Sequence, residues 1–147
     1  MKFDRSVNLL LTKSKSKSKV LKLGSNESAP KGYTGVAEYP NGVKVWYLNG
    51  KHHREDGPAV KYSDGSKYWW LNGQRHRADG PAVEYADGSK SWFLKGQHHR
   101  EDGPAIEYSD GSKAWCLNDR EVTEEEFNQR KTLRELGGAD FDGILDI

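Results

Sequence analysis

The sequence predicts an all-β fold, a single-layer antiparallel meander of four hairpin repeats closed by a short C-terminal α-helix. The first observation is a 23-residue period, in which Gly57-Pro58-Ala59 returns as Gly80-Pro81-Ala82 and as Gly103-Pro104-Ala105. Aromatic residues keep the same step, at Tyr39, Tyr62, Tyr85 and Tyr108 and at Trp46, Trp69, Trp92 and Trp115. A fixed short period predicts small units that bury their apolar surface against their neighbours.

Composition and charge divide the chain into three parts. Residues 1–31 are a basic N-terminal segment and linker with a net charge of +6, residues 32–121 are the repeat domain, and residues 122–147 are a capping helix and acidic tail. Lysine and serine alternate from Lys13 to Lys19. This pattern could form a strand with the lysines on one face, but we favour a solvated charge run. Only 34% of residues are apolar but 11% are aromatic, which indicates a thin sheet held by large rings.

The cysteine content and the apolar runs indicate a compartment. Cys116 is the one cysteine of the chain, so an internal disulfide framework is excluded and a reducing compartment is favoured. It stands where the other units carry Tyr47, Trp70 and Phe93, and we interpret it as a packing residue. No apolar stretch is long enough to span a bilayer, and Val7 to Leu11 lack a convincing cleavage site. We therefore expect a cytoplasmic protein with no membrane partner.

Turn dipeptides place the strands within each unit. In the second unit Ala59 to Tyr62 form one strand, Asp64-Gly65 form a type I′ turn, and Lys67 to Leu71 run back. This turn pairs Tyr62 with Lys67 and Val60 with Trp69. Because side chains alternate along a strand, the packed face is expected to hold four side chains per unit. In this unit they are Val60, Tyr62, Trp69 and Leu71.

The polar connection from Asn72 to Pro81 leaves two alternatives open. It could contain a third strand, since Asn72-Gly73 and Asp79-Gly80 bracket it. Three strands per unit would reverse the chain direction at each repeat, whereas two strands and a returning loop keep every unit in one orientation. We therefore expect two strands per unit.

A helix is predicted where the repeat pattern ends. Thr123-Glu124-Glu125-Glu126 is a capping box, so a helix should run from about residue 124 to 136 and stop at Gly137-Gly138. Phe127 should point back onto the last hairpin near Trp115 or Leu117. Since this helix would cover an open sheet edge, removing residues 122–147 is expected to cause aggregation or end-to-end assembly.

The repeated phrases resemble a known family. Tyr62-Ser63-Asp64-Gly65, an aromatic strand and then Asn72-Gly73-Gln74-Arg75-His76 are similar to the MORN repeat. The resemblance implies a MORN-like solenoid of β-hairpins that binds proteins or lipids and has no catalysis of its own. Two features depart from MORN: a shorter step between the two Gly turns, and His-Arg-x-Asp-Gly-Pro-Ala in the loops. This modified form, with a Thr-Glu-Glu-Glu-Phe helix after the repeats, resembles uncharacterised bacteriophage proteins.

The loops and the more variable sheet face supply the candidate binding residues. We expect the more variable face to be open, with aromatic anchors on it, and the loops to offer an Arg/His stripe. Arg against Asp in the same or the next unit would instead form structural ion pairs, and we favour that alternative. Loop histidines one repeat apart are about 10 Å from each other, too far to share a metal ion. The candidates are Tyr47, Trp70, Phe93, His53, Arg54, His76, Arg77, His99 and Arg100.

These features predict a non-catalytic protein-interaction module, and the phage resemblance implies an inhibitor of a host protein. The open face could instead be covered by the N-terminal segment or by a second copy of the chain. The alternative function is a nucleic-acid or nucleotide binder that uses Lys13 to Lys19 and the loop arginines. The sequence shows no nucleophile with a base at a recognisable spacing and no glycine loop that opens a helix. We therefore expect no enzyme activity, no metal and no cofactor.

Overall fold

A computed structural model describes residues 20–137 as a mainly β protein with one short C-terminal helix. The expectations for Lys13 to Lys19 and for the acidic tail beyond residue 137 lie outside the described residues. No helix within residues 20–137 has the length and apolar character needed to cross a membrane.

The strands are short and follow one another closely. They are β1 (Val20–Lys22), β2 (Gly35–Glu38), β3 (Lys44–Leu48), β4 (Lys51–His52), β5 (Val60–Lys61), β6 (Lys67–Tyr68), β7 (Trp70–Leu71), β8 (Gln74–Arg75), β9 (Val83–Glu84), β10 (Lys90–Ser91), β11 (Phe93–Leu94), β12 (Gln97–His98), β13 (Ile106–Glu107), β14 (Lys113–Leu117) and β15 (Arg120–Val122). The helix is α1 (Glu124–Glu135).

The main sheet runs in the order β1-β2-β3-β5-β6-β9-β10-β13-β14-β15. Neighbouring strands in this order are antiparallel except β1 and β2, which are parallel. A second set of hairpins pairs β3 with β4, β7 with β8 and β11 with β12. Each unit therefore contributes two hairpins to the structure.

The expectation of two strands per unit is wrong, because each polar connection begins with a short third strand. Lys51 and His52 of β4 pair with one half of β3, while Val60 and Lys61 of β5 pair with its other half. Both are antiparallel to β3, so β4 and β5 run in the same direction with a loop between them. The third strand therefore leaves the next unit in the same orientation. The reversal of chain direction that favoured two strands per unit does not occur.

The turn chemistry differs from the prediction at Asp64-Gly65. Only Gly65 has a positive φ there, +95°, and the Asp64 carboxylate accepts the Ser66 N–H at 2.8 Å. Both residues of a type I′ turn need positive φ, and that conformation occurs instead at Asn72-Gly73, with φ of +49° and +79°. The longer Asp-Gly loop pairs Lys61 with Lys67 and Val60 with Tyr68, one residue away from the predicted register.

This register change corrects the predicted packed face. Val60 is 4% exposed, as expected, but Tyr62 is 41% exposed. The central cluster consists of Ala82, Val83 and Phe93, with Tyr68 and Trp69 packed against it. The alanine of each Gly-Pro-Ala segment is fully buried, at positions 59, 82 and 105. The core is therefore thin and formed by small β-branched residues and alanines between larger rings.

The terminal helix matches its prediction closely. Thr123 accepts the Glu126 N–H at 3.1 Å through its hydroxyl, and the Glu126 carboxylate accepts the Thr123 N–H at 2.9 Å. Phe127 is 2% exposed, and α1 packs against β14, where Trp115 and Leu117 lie. The Arg134 guanidinium also donates to the Glu101 carbonyl oxygen at 3.0 Å and pairs with its carboxylate at 3.2 Å. The capping box and the buried phenylalanine are both confirmed.

Candidate binding surface

The loops that follow β4, β8 and β12 share one arrangement around an arginine. The guanidinium carbon lies over a tryptophan ring, 4.2 Å away for Arg54 on Trp46, 4.0 Å for Arg77 on Trp69 and 3.9 Å for Arg100 on Trp92. Each Nε donates to the aspartate two residues later, with distances of 2.8, 3.1 and 2.8 Å. Each Nη1 donates to the proline carbonyl oxygen four residues later. The predicted Arg–Asp pairs are confirmed, within each unit.

A glycine beside each arginine leaves room for the guanidinium. A Cβ added to Gly103 would lie 2.9 Å from the Arg100 guanidinium carbon, and one added to Gly80 would lie 3.0 Å from that of Arg77. With any larger residue there, the guanidinium would have to shift from its place between the ring and the carboxylate. Hydrogen bonding from Arg54, aided by its charge, lowers the pKa of Asp56 below its ordinary value, and Arg100 acts in the same way on Asp102. The stacked cation and its carboxylate therefore close the loop.

The loop histidines connect each unit to the next. The Nδ1 atoms of His53, His76 and His99 accept backbone N–H groups at 2.9, 2.9 and 3.0 Å. The donors are the first residues of the next two-residue turns, Asn72, Lys95 and Asn118. Because Nδ1 is an acceptor, the neutral ring carries its proton on Nε2. Glu55 and Glu101 lie 3.6 and 3.3 Å from the Nε2 of His53 and His99, whereas Ala78 stands at that position beside His76.

Acidification is expected to destabilise the fold through His52, which lies beside the loop that carries these histidines. Burial between Tyr47 and Trp70 lowers the pKa of His52 below its ordinary value of 6.5, so its contribution to stability is present above that pH and lost as pH falls through the folded-state pKa. Urea unfolding should give a lower free energy of unfolding at about pH 5.5 than at about pH 7.5.

A matched variant tests the origin of this dependence. Replacing His52 by glutamine keeps a polar side chain at this position and removes its titration. The slope of stability against pH should become clearly shallower in this variant. An unchanged slope would show that other groups carry the dependence.

Two similar clefts lie between consecutive loops. The first, of about 640 Å³, is lined by Trp69 and Leu71 and bounded by residues 54–58 and 76–79. The second, of about 620 Å³, is lined by Trp92 and Leu94 in the equivalent positions. The carboxylates at the rims are well exposed, with 83% of Asp56 and 86% of Asp79 accessible. Each cleft therefore has an apolar floor and a charged rim.

The predicted aromatic anchors are less accessible than expected. Phe93 is 5% exposed and its ring centroid lies 4.0 Å from that of His98, so it does not lie on an open face. Trp70 is half-buried, between His52 at 5.2 Å and the Arg75 guanidinium at 5.2 Å. Tyr47 is half-buried as well, and burial raises the pKa of its hydroxyl. The third strand of each unit covers these rings.

Instead, a row of tyrosines is exposed, although the sequence predicts these residues on the packed face. Tyr62, Tyr85 and Tyr108 are 41%, 40% and 48% exposed, each directly after a first strand of a unit. The Tyr68 ring bridges the first two, with centroids 5.0 Å from Tyr62 and 5.9 Å from Tyr85. The 23-residue step of these tyrosines was visible in the sequence, but their exposure depends on the register.

The residue types that ligate metals are dispersed in the described part of the chain. Cys116 is buried, and burial raises the pKa of its thiol, which disfavours the reactive thiolate. Among residues 20–137, His, Cys, Asp and Glu side chains form no group of three that could hold a metal ion.

Fold and surface together define the class as an all-β hairpin protein with repeated loop clefts and an exposed tyrosine row. Comparisons with protein-family models, with curated proteins and with solved structures find no match to this chain.

Proposed function

We propose that this chain is a non-catalytic protein-interaction module, built as a MORN-like solenoid of four 23-residue units in a single-layer meander. The pairing of β3 with β5, β6 with β9 and β10 with β13 supports this architecture, because each unit joins the next by the same antiparallel contact. The helix α1 then takes the place of a further unit, as terminal caps do in repeat proteins.

The observation that carries the proposal is the exposed tyrosine row, Tyr62, Tyr85 and Tyr108. Tyrosine combines a large apolar ring with a polar tip and few rotatable bonds, and it is enriched in protein interfaces. Three such rings at a regular step, with Tyr68 between two of them, form a surface that a partner could cover. The same surface suits a second copy of the chain, which would give a homodimer.

The loops fit a supporting role better than a catalytic one. Their arginines are stacked on tryptophans and bonded to aspartates, and their histidines bind backbone N–H groups of the next unit. A general base needs a free nitrogen in reach of its substrate, whereas these Nδ1 atoms are already engaged.

The resemblance to bacteriophage repeats extends the proposal to a source and a target. On that basis the module is a phage-encoded inhibitor that acts in the host cytoplasm by covering a host protein. A rigid sheet with exposed rings suits such a blocking role, because little order is lost on binding.

The test is retention of a partner by the tyrosine row. Immobilised wild-type protein should retain a specific protein from host lysate, and the variant Tyr62→Ser, Tyr85→Ser and Tyr108→Ser should retain at least tenfold less. The control replaces Lys90 and Lys113, exposed on the sheet, by serine and should keep the partner. Sedimentation of both proteins separates a homodimer from a complex with another protein. Equal retention by the tyrosine variant, or no retained protein and no dimer, would contradict the proposal.

The alternative, nucleic-acid binding through the basic N-terminal segment and the loop arginines, has weaker support. Arg77 and Arg100 each already pair with two carboxylates of the chain, and Arg54 pairs with one. If the alternative holds, a variant without residues 1–31 should lose affinity for short oligonucleotides, and affinity for wild type should fall steeply with salt.

A further inference from the structure

A row of charged side chains crosses one face of the main sheet. Each member lies directly opposite the next in the strand pairing, so the side chains project on the same side. In order across the sheet they are Glu38, Lys44, Lys61, Lys67, Glu84, Lys90, Glu107 and Lys113.

Signs alternate along this row except at three adjacent lysines. Lys61 pairs with Lys44 on one side and with Lys67 on the other. Like charges directly opposite in a sheet are destabilising. The repeat places glutamate at the equivalent position in the next two units, Glu84 and Glu107. Lys61 therefore breaks a charge pattern that the rest of the row keeps.

The same substitution removes a contact from the neighbouring loop arginine. Arg77 Nη1 lies 3.5 Å from a Glu84 carboxylate oxygen, and Arg100 Nη1 lies 3.2 Å from that of Glu107. Arg54 also stacks on a tryptophan and donates to an aspartate and to a proline carbonyl oxygen. At the position equivalent to Glu84 and Glu107, however, this unit has Lys61. Both Arg54, at 4.2 Å, and Lys61, at 5.5 Å, lie over the Trp46 ring.

We propose that Arg54, Lys44, Lys61 and Lys67, here called the cation cluster, bind carboxylates of an acidic segment in a partner protein. The inference rests on the proposed function and specifies the chemistry of its partner. The chain's own Glu84 and Glu107 show which group fits, because each places a carboxylate against the equivalent arginine. A sequence that keeps a locally unfavourable charge at one unit is typical of a functional position.

The geometry favours several carboxylates rather than one. The three lysines lie on adjacent strands, which are about 4.8 Å apart, so the cluster spans about 10 Å. An extended acidic segment places alternate side chains about 6.6 Å apart, and two of them could reach the cluster at once. Lys44 pairs with Glu38 at 3.3 Å but half of its side chain is accessible, and Lys67 is exposed, so a partner can reach both.

Binding of a fluorescent deca-glutamate peptide tests the site, followed by anisotropy at about 50 and 200 mM salt. The full-length wild type should bind it, and Lys61→Glu should lower the affinity at least tenfold because it supplies the missing carboxylate internally. The control, Lys113→Glu, makes the same charge change at the other end of the row and should stay within twofold of wild type. No binding by wild type, or equal loss in both variants, would overturn the site.

Thermal unfolding gives a second readout that does not need a ligand. Lys61→Glu should raise Tm by about 2–4 °C. The substitution restores alternating charges and gives Arg54 the glutamate contact that Arg77 and Arg100 have. Lys113→Glu should lower Tm slightly, because it places a glutamate opposite Glu107. If Lys61→Glu does not raise Tm, the idea that Lys61 costs stability is wrong and the inference loses its basis.

Two further arms identify the source of the anion. A ten-nucleotide single strand of similar charge should bind at least tenfold more weakly than the peptide, and tighter binding would assign the cluster to nucleic acid. Replacing Asp140, Asp142 and Asp146 by asparagine should leave peptide affinity unchanged. A large gain would show that the chain's own tail is the occupant. Peptide binding without retention of a partner on the tyrosine row would keep this site and contradict the proposed function.

Discussion

Replacing Trp92 by alanine is expected to lower the free energy of unfolding by about 3–5 kcal/mol, and Trp69→Ala should do the same. The Trp92 ring lines the second cleft and carries the Arg100 guanidinium at 3.9 Å. Its loss leaves a void and also removes the surface against which Arg100 is held. That arginine positions Asp102 and the Pro104 carbonyl, so the loop that leads into β13 should loosen.

Urea unfolding followed by far-UV circular dichroism measures this effect. Tyr85→Ala is the control, since its ring is 40% exposed and its truncation should cost less than about 1 kcal/mol. A double-mutant cycle with Arg100→Ala separates the stack from simple packing. The double variant should lose less stability than the sum of the losses in the two single variants. A cost below about 1 kcal/mol for Trp92→Ala would show that the tryptophans do not organise the loops.

The second large effect is expected at the helix. Phe127→Ala should lower the free energy of unfolding by about 3–5 kcal/mol, because a 2% exposed ring holds α1 against β14. Detachment of α1 would also break the contacts between Arg134 and Glu101 and uncover the last strands. The open edge should then favour end-to-end association at high protein concentration.

Chemical unfolding and sedimentation velocity together test this prediction. Leu136→Ala, in the cap of the same helix and 79% exposed, should leave both stability and mass unchanged. A Phe127→Ala protein that is as stable as wild type and monomeric would mean that α1 is an independent arm rather than a cap.

Several features depend on local chemistry and can be predicted from the sequence alone. The capping box of Thr123 and Glu126 and the Arg–Asp pairs of the loops each involve residues two or three positions apart. Such contacts form whenever the local backbone has the right conformation. The 23-residue period likewise indicated repeated units, since identical residues at a fixed step need identical surroundings.

The turn at Asp64-Gly65 shows why other features could not be predicted from the sequence. Asp-Gly fits both a two-residue type I′ loop and a longer loop in which only glycine has positive φ. The choice depends on the Ser66 N–H bonding the Asp64 carboxylate and on the pairing of β6 with β9. Because side chains alternate with a period of two, this one-residue difference places Tyr68 rather than Trp69 opposite Val60.

The sequence by itself determined the β class, the repeat period, the capping helix and the pairing within each loop, because these follow from contacts between near neighbours in the chain. The tertiary structure alone decided the third strand of each unit, the exposure of the tyrosines and the burial of Phe93. It also decided the adjacency of Lys44, Lys61 and Lys67 and the bonds from histidines to turns 19 residues away. These features depend on the register between strands, which is set by the combined packing of many residues rather than by any one dipeptide.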